Sequence, residues 1–352
     1  MRARPRWSVG GDFPWAGAFP QPAVPWPRGP LVWMSAGRHA IPLLQRVASK
    51  NARLWLPLYF CGEVAKYWKR WIEVCFYEDD PRWSEPDWKT LKPDPGDLVV
   101  AVNYFGGRTG SSWNTWRKAN RCLLVEDHTH DPCSPWARNS GADYAFCSLR
   151  KTLPLPEGGL LWSPLGLSLP DEPRQPGAGV AEKLAGMLLR AEFIKGAPVS
   201  KDWNPIYRAL FREGEIKLAA SAPAAMSTLV RTVVAGGVPV SWLKQRRRNT
   251  GHLLRALRKS TPEPLFRRWP RGATPLAVVL VLDNQRQRDR ARAHLERKNI
   301  YCPILWPDCN SPASPGAPLA ERILCIPTDQ RYGKKDMEIV AREIRSVLKE
   351  QS

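Results

Sequence analysis

Ser148-Leu149-Arg150-Lys151-Thr152-Leu153-Pro154-Leu155-Pro156-Glu157-Gly158-Gly159 lies between two short apolar runs, Tyr144-Ala145-Phe146-Cys147 and Gly159-Leu160-Leu161-Trp162. Short apolar runs bounded by turn formers read as strands. Working outward, Cys122-Leu123-Leu124-Val125 empties into Glu126-Asp127, and Leu98-Val99-Val100-Ala101-Val102 into the loop Asn103-Tyr104-Phe105-Gly106-Gly107. A continuous apolar run of this kind fits a strand buried on both faces. Leu54-Trp55-Leu56-Pro57 and Val74-Cys75-Phe76-Tyr77 read as further strands, with helices over 63–71 and 113–119. Strands alternating with short helices predict an α/β domain with a mostly parallel central sheet.

Residues 1–34 are rich in Pro and Trp and lack periodicity; they predict an irregular arm that packs to cover Trp7, Trp15, Trp26 and Trp33. A large domain is expected over 35–229. Its first helix begins at Ala40, with Ile41, Leu44 and Val47 on one face, and it ends in helices over 181–195 and 204–220, the second interrupted near Gly214. A helix over 240–258 comes next. Strands over 276–282, 300–304 and 322–326, with helices over 285–299 and 337–348, then predict a small α+β domain spanning 230–352.

The chain has 352 residues, 43% hydrophobic and 24% charged, an ordinary globular composition. No uncharged apolar run reaches the roughly 18–20 residues that span a bilayer. Arg2, Arg4 and Arg6 imitate the start of a signal peptide, but Pro14, Pro20, Pro22, Pro25 and Pro27 interrupt the apolar stretch such a peptide needs, so a cytoplasmic location is expected. The cysteines at 61, 75, 122, 133, 147, 302, 309 and 325 form no C-x-x-C pair and read as reduced, mostly buried thiols. The net charge of +20 fits either nucleic-acid binding or anionic small substrates. Apart from Lys244-Gln245-Arg246-Arg247-Arg248 the basic residues are dispersed, which points away from nucleic acid.

By default Lys151 would be a surface lysine and Asp127 a turn residue. Together, a strand delivering a carboxylate and a lysine on a turn closed by Gly-Gly are what a pyridoxal 5'-phosphate (PLP) enzyme requires. The cofactor's aldehyde takes a lysine Schiff base, and its pyridine nitrogen takes an anionic partner. A buried amine beside other cations loses basicity, which suits that chemistry. His130 is placed to reach the cofactor's phenolic oxygen, and His128 reads as structural. His128-Thr129-His130-Asp131 with Cys133 has the wrong spacing for zinc, so no metal is expected. Gly37-Arg38-His39 precedes a helix, where backbone N–H groups favour phosphate. Ser148 adds a hydroxyl.

The ordered set Ser35-Ala36-Gly37-Arg38, Glu126-Asp127, Ser148-x-x-Lys151 and Glu157-Gly158-Gly159 resembles the fold-type-I PLP enzymes, and within them the DegT/StrS sugar aminotransferases. Asn103-Tyr104-Phe105-Gly106 and Ile326-Pro327-Thr328-Asp329-Gln330-Arg331-Tyr332 extend the resemblance over about 35–350. It implies that Lys151 is the Schiff-base lysine and proton shuttle, and that Asp127 pairs with the pyridine nitrogen. His130 stands where the family has Gln. Ser148 and the Gly37-Arg38-His39 backbone would hold the phosphate, and Tyr59 or Phe60 would stack on the ring. Arg38 replaces the family's Thr.

An amino-acid donor such as glutamate, a keto-sugar acceptor, free or nucleotide-linked, and a homodimer are implied with the activity. Another PLP reaction, a lyase or condensing step, and a basic non-catalytic binding protein are the alternatives. Arg208, Arg247, Arg248 and Arg322 are unranked candidates for binding a substrate anion.

Overall fold

The computed structural model describes residues 6–197, 203–258, 262–307 and 319–349. Its centre is a seven-stranded sheet of β1 (Val32–Met34), β2 (Leu54–Pro57), β3 (Val74–Tyr77), β4 (Leu98–Val102), β5 (Leu123–Asp127), β6 (Tyr144–Ser148) and β7 (Gly159–Trp162). The spatial order is β1-β7-β6-β5-β4-β2-β3. Only β7 runs against its neighbours. The sheet is therefore mostly parallel, as its apolar runs predict, and all of β4 is buried.

Strand β1 corrects the expectation of an irregular arm over 1–34. Val32 pairs with Leu161 and Met34 with Gly159, so the arm's last residues form a sheet edge. Two other arm segments also pair: Val9–Gly10 with Ile300–Tyr301, and Ala23–Val24 with Val238–Pro239. Trp26 and Trp33 are buried, whereas Trp7 stays 38% exposed, its indole N–H donating to Asp336.

The helices Val180–Lys195 and Trp203–Ala220 pack side by side, and the expected break at Gly214 does not occur. A Cβ on Gly214 would meet the Gly179 carbonyl oxygen at 2.6 Å. Close helix packing, rather than a turn, is what requires glycine there. The first helix is also shorter than its periodicity predicts, Ala40–Leu44, and the strand expected over 300–304 is only Ile300–Tyr301.

Beyond the sheet, β8 (Ala277–Val281) pairs antiparallel with β9 (Ile323–Pro327). Alternation sends Val278, Leu280, Leu324 and Ile326 into a core with the helices Val240–Ala256, Gln285–Arg297 and Lys334–Lys349. Ala277, Val279, Ile323 and Cys325 face the main core instead. Five cysteines, at 122, 133, 147, 302 and 325, are buried, as expected, and Cys309 lies outside the described residues. Among the described residues no helix is long and apolar enough to cross a membrane.

Candidate active site

Parallel strands deliver their carboxyl ends to one edge of a sheet, where α/β proteins bind ligands. A cavity of about 560 Å³ occupies that edge. Gly37 and Arg38 follow β1, Phe60 follows β2, Asp127 ends β5, Ser148 ends β6 and Lys151 follows it; all line the cavity. The opposite wall comes from the C-terminal part of the chain, through Tyr301, Trp306, Cys325 and Arg331.

Lys151 ends a single 3-10 turn, Leu149–Lys151, directly after Ser148. Its side chain is exposed, into the cavity rather than on the outer face. The Arg150 guanidinium beside it, and then burial, depress its amine to about 8, partly opposed by Glu215. Asp127 accepts a hydrogen bond from the Thr129 N–H at 2.8 Å. Burial raises its carboxyl, and the bonds to Thr129 oppose that rise. Period-two alternation turns the preceding Glu126 to the other side of the sheet. There it meets His128 Nε2 at 2.9 Å, in a pair with no exposed surface.

His130 is held on three sides. The Phe105 N–H donates to its Nδ1 at 2.9 Å, while Phe105 and Trp306 stack on its ring at centroid distances of 5.4 and 5.5 Å. Burial, then the Lys151 charge, depress it to about 3, so the ring is neutral at ordinary pH. With Nδ1 accepting, the ring proton sits on Nε2, which makes that nitrogen a donor.

Gly37 is set by close approach: a Cβ there would meet Ser148 Cβ at 2.9 Å and Ser148 N at 3.0 Å. A Cβ on Gly159 would meet the Gly37 nitrogen at 2.6 Å, so both glycines are needed to bring the first turn against the Lys151 segment. Ser148 gives its backbone N–H to Thr129 Oγ1 at 3.0 Å.

His39, expected near a phosphate, does not line the cavity. It is fully buried, accepts the Ala224 N–H at Nδ1 (3.2 Å), and is driven down to about 4 by burial and by Arg38. Of the two stacking candidates, Phe60 lines the cavity and stacks on Trp68 at 5.3 Å. Tyr59 lies behind it, its hydroxyl donating to the Leu305 carbonyl beside Trp306.

Sequence reading missed most of the cationic side of the cavity. None of Arg208, Arg247, Arg248 and Arg322 lines it; Arg247, for example, donates to the Ala273 carbonyl and Arg322 to that of Leu282. The cavity's cations are instead Arg38, Arg150, Lys183, Arg246, Arg292 and Arg331, with Lys151. Arg150 was in plain view beside Lys151, but Lys183 and Glu215 sit on helices whose periodicity reports only their apolar faces. Glu215 binds Arg150 through both oxygens at 2.7 and 2.8 Å, Lys183 at 2.6 Å and Arg38 at 3.3 Å. Burial works to raise Glu215, but Arg150, Lys183 and Lys151 hold it far below the usual carboxylate range.

The same architecture occurs in solved structures. The aminotransferase TlmJ from Streptoalloteichus hindustanus superposes with a TM-score of 0.61 at 17% identity, over 92% of this chain and 86% of that one. A DegT DnrJ EryC1 StrS aminotransferase from Brucella abortus gives 0.58 at 14% identity, over 91% and 86%. DesI, crystallised with its TDP-sugar product, gives 0.58 at 18% identity, over 91% and 80%. No family model and no curated protein matches the chain. The likeness is one of fold, and it establishes the fold class as that of the fold-type-I aminotransferases.

Proposed function

We propose that the chain is a PLP-dependent aminotransferase related to the DegT/StrS sugar aminotransferases. One observation carries the reading: a lysine of lowered basicity, one turn beyond β6, and a partly buried carboxylate at the end of the adjacent parallel strand β5 line the same cavity. The site fits the cofactor in a second respect. Among the described residues no ion pair engages Asp127, so the cavity wall holds a carboxylate for a cationic ring nitrogen. When bound, PLP supplies a reactive aldehyde and an electron-withdrawing ring.

The chain's own residues do the rest. Asp127 would hold a proton at the pyridine nitrogen. His130, as a neutral Nε2 donor, would point its proton at the phenolic oxygen. Lys151, with an amine near 8, is neutral in an appreciable fraction at physiological pH and can both take and return a proton at Nζ. Phe60 and Trp306 supply the apolar wall that excludes water. Glutamate as donor and a keto-sugar as acceptor are part of this proposal, and a nucleotide-linked acceptor is supported by the TDP-sugar bound to DesI.

Protein incubated with PLP should absorb in the near-ultraviolet to violet, and borohydride should bleach that band and leave a covalent label on Lys151. Glutamate should convert the unreduced band to that of the amine form. Lys151→Ala protein that still gave the band and a borohydride-stable adduct would sink the assignment. A band that no amino acid alters would move the reading to another PLP reaction.

A further inference from the structure

Of the cations lining the cavity, five are tied to carboxylates: Arg38, Arg150 and Lys183 share Glu215, Arg292 binds Glu296, and Arg331 binds Asp329. Lys151 is the Schiff-base candidate. Among the described residues that leaves Arg246, which lines the cavity, is 4% exposed and enters no ion pair. Its Nε donates to the Gln330 side-chain oxygen at 2.7 Å and its Nη2 to the Thr152 carbonyl at 2.6 Å. The other terminal nitrogen, Nη1, has no hydrogen bond among the described residues. A buried guanidinium clamped at two corners and open at the third is short of an acceptor.

No described carboxylate supplies that acceptor. Asp329 and Asp131 are the carboxylates whose charge reaches Arg246. Asp329 spends both oxygens on Arg331. Asp131 spends both on the N–H groups of Cys133 and Thr274, and burial raises its carboxyl to about 7, so it carries only part of a charge at neutral pH. Arg331 is no rival for a ligand anion, since its terminal nitrogens also donate to the carbonyls of Asp12 and Gly11. Position says what the missing anion is. Arg246 bonds the residue that follows Lys151, and Arg246 and His130, both in the cavity wall, border one small recess. On the cofactor ring, the phenolic oxygen that His130 would meet is next to the carbon where substrates react.

We propose that Arg246 binds a carboxylate on the substrate carbon that reacts, and that the acceptor as well as the donor carries one. The acceptor is then a 2-oxo acid, and a sugar acceptor is a keto-sugar acid. This inference rests on the aminotransferase reading above and narrows its acceptor. The reaction exchanges an amino group for a carbonyl oxygen. Water enters as the donor carbon is oxidised and leaves as a 2-oxo acid; water is released as the acceptor carbon is reduced and gains the amino group and a proton. Both partners react at one place beside Lys151, so the substituent on either reacting carbon meets the same guanidinium. An uncharged substituent there would shut out water and strand a buried cation, whereas a carboxylate satisfies it. A site built to bond a polar group rejects the analogue that lacks it.

The test uses the PLP-loaded full chain and reads its absorbance band, so binding is seen whether or not turnover follows. Alanine and glutamate are compared with ethylamine and 4-aminobutyrate, the amines left when the α-carboxylate is removed. An amino acid should shift the band at a concentration about tenfold or more below that of its amine, as one bond to a charged group implies. Arg246→Gln should erase that margin by weakening the amino acid alone, and Arg246→Lys should restore part of it. Circular dichroism and borohydride labelling of Lys151 check that each variant keeps its fold and its cofactor site. For the acceptor, protein in the amine form is offered a 2-oxo aldonate and the ketose that differs from it only in bearing CH2OH for the carboxylate. The oxo acid should restore the original band and the ketose should not.

A ketose that restores the band as fast as the oxo acid overturns the assignment of the acceptor. Amino acids bound no better than their amines, or an Arg246→Gln protein that loses both alike, overturn the anchor, while labelling at Lys151 leaves the PLP reading standing. Protein that never labels at Lys151 removes the PLP reading instead. Calorimetry of the unloaded chain with 2-oxoglutarate then decides the anchor: weaker binding by Arg246→Gln than by the unaltered chain keeps it, and equal binding overturns it.

Discussion

Lys151 and His130 share an electrostatic history. Each carries its charge poorly, Lys151 chiefly because Arg150 stands beside it and His130 chiefly because it is buried. For a lysine with a lowered folded pKa, the unfolded chain binds more protons between about 8 and the ordinary lysine value, so this group's contribution to stability rises with pH across that window. The same shift predicts that an amine-directed acylating reagent modifies Lys151 half-maximally near pH 8, well below the surface lysines; peptide mapping of labelled protein over a pH series reads this out. Labelling of Lys151 in step with the surface lysines would count against the lowered amine. These two residues were legible in the sequence because each lies just beyond the end of an apolar run. Lys183 and Glu215 were not, because they come from helices distant in the chain and meet Arg150 only after folding.

At the scale of elements, the site depends on the contact between the first turn and the end of β6. Gly37→Ala would set a Cβ against Ser148, an overpacking that costs about 1–3 kcal/mol. A fall in the urea midpoint together with weaker PLP uptake is the expected result; unchanged values for both would mean that the turn can shift freely. The loop after β4 has its own anchor. Arg108 binds Asp79 through both nitrogens at 2.8 and 2.9 Å, and both side chains are buried. Arg108→Leu strands a buried carboxylate, so urea denaturation should show a loss of about 3–5 kcal/mol, much of it regained when Asp79→Leu is added.

Several strands could be read with their observed bounds. β2, β3, β4 and β7 are apolar runs with no competing pattern. β1 could not, since Val32-Trp33-Met34 is too short to show a period and comes after a proline-rich stretch. The supposed break at Gly214 misled because a helical glycine lowers propensity whether it ends a helix or lets two helices touch.

At the scale of the whole molecule, the exposed apolar side chains Leu188, Ile206 and Ile216 sit on the paired helices Val180–Lys195 and Trp203–Ala220. They fit the homodimer that the sequence resemblance implies, and sedimentation velocity should give twice the chain mass; a single-chain mass at micromolar protein would overturn it. The antiparallel pair β8–β9 and the helices around it were legible from the change in element order after residue 230, but the role of the arm was not. Arg6 and Trp15 bond the backbone of the Val180–Lys195 helix, at Ile194 and Met187. Between them Val9–Gly10 pairs with Ile300–Tyr301, and the carbonyls of Gly11 and Asp12 take Arg331 from the opposite wall of the cavity. The arm is thus a strap stitched alternately to both jaws of the cleft. Drawing the two walls of the cavity apart would require breaking these bonds, so the segment 6–15 ties one wall to the other.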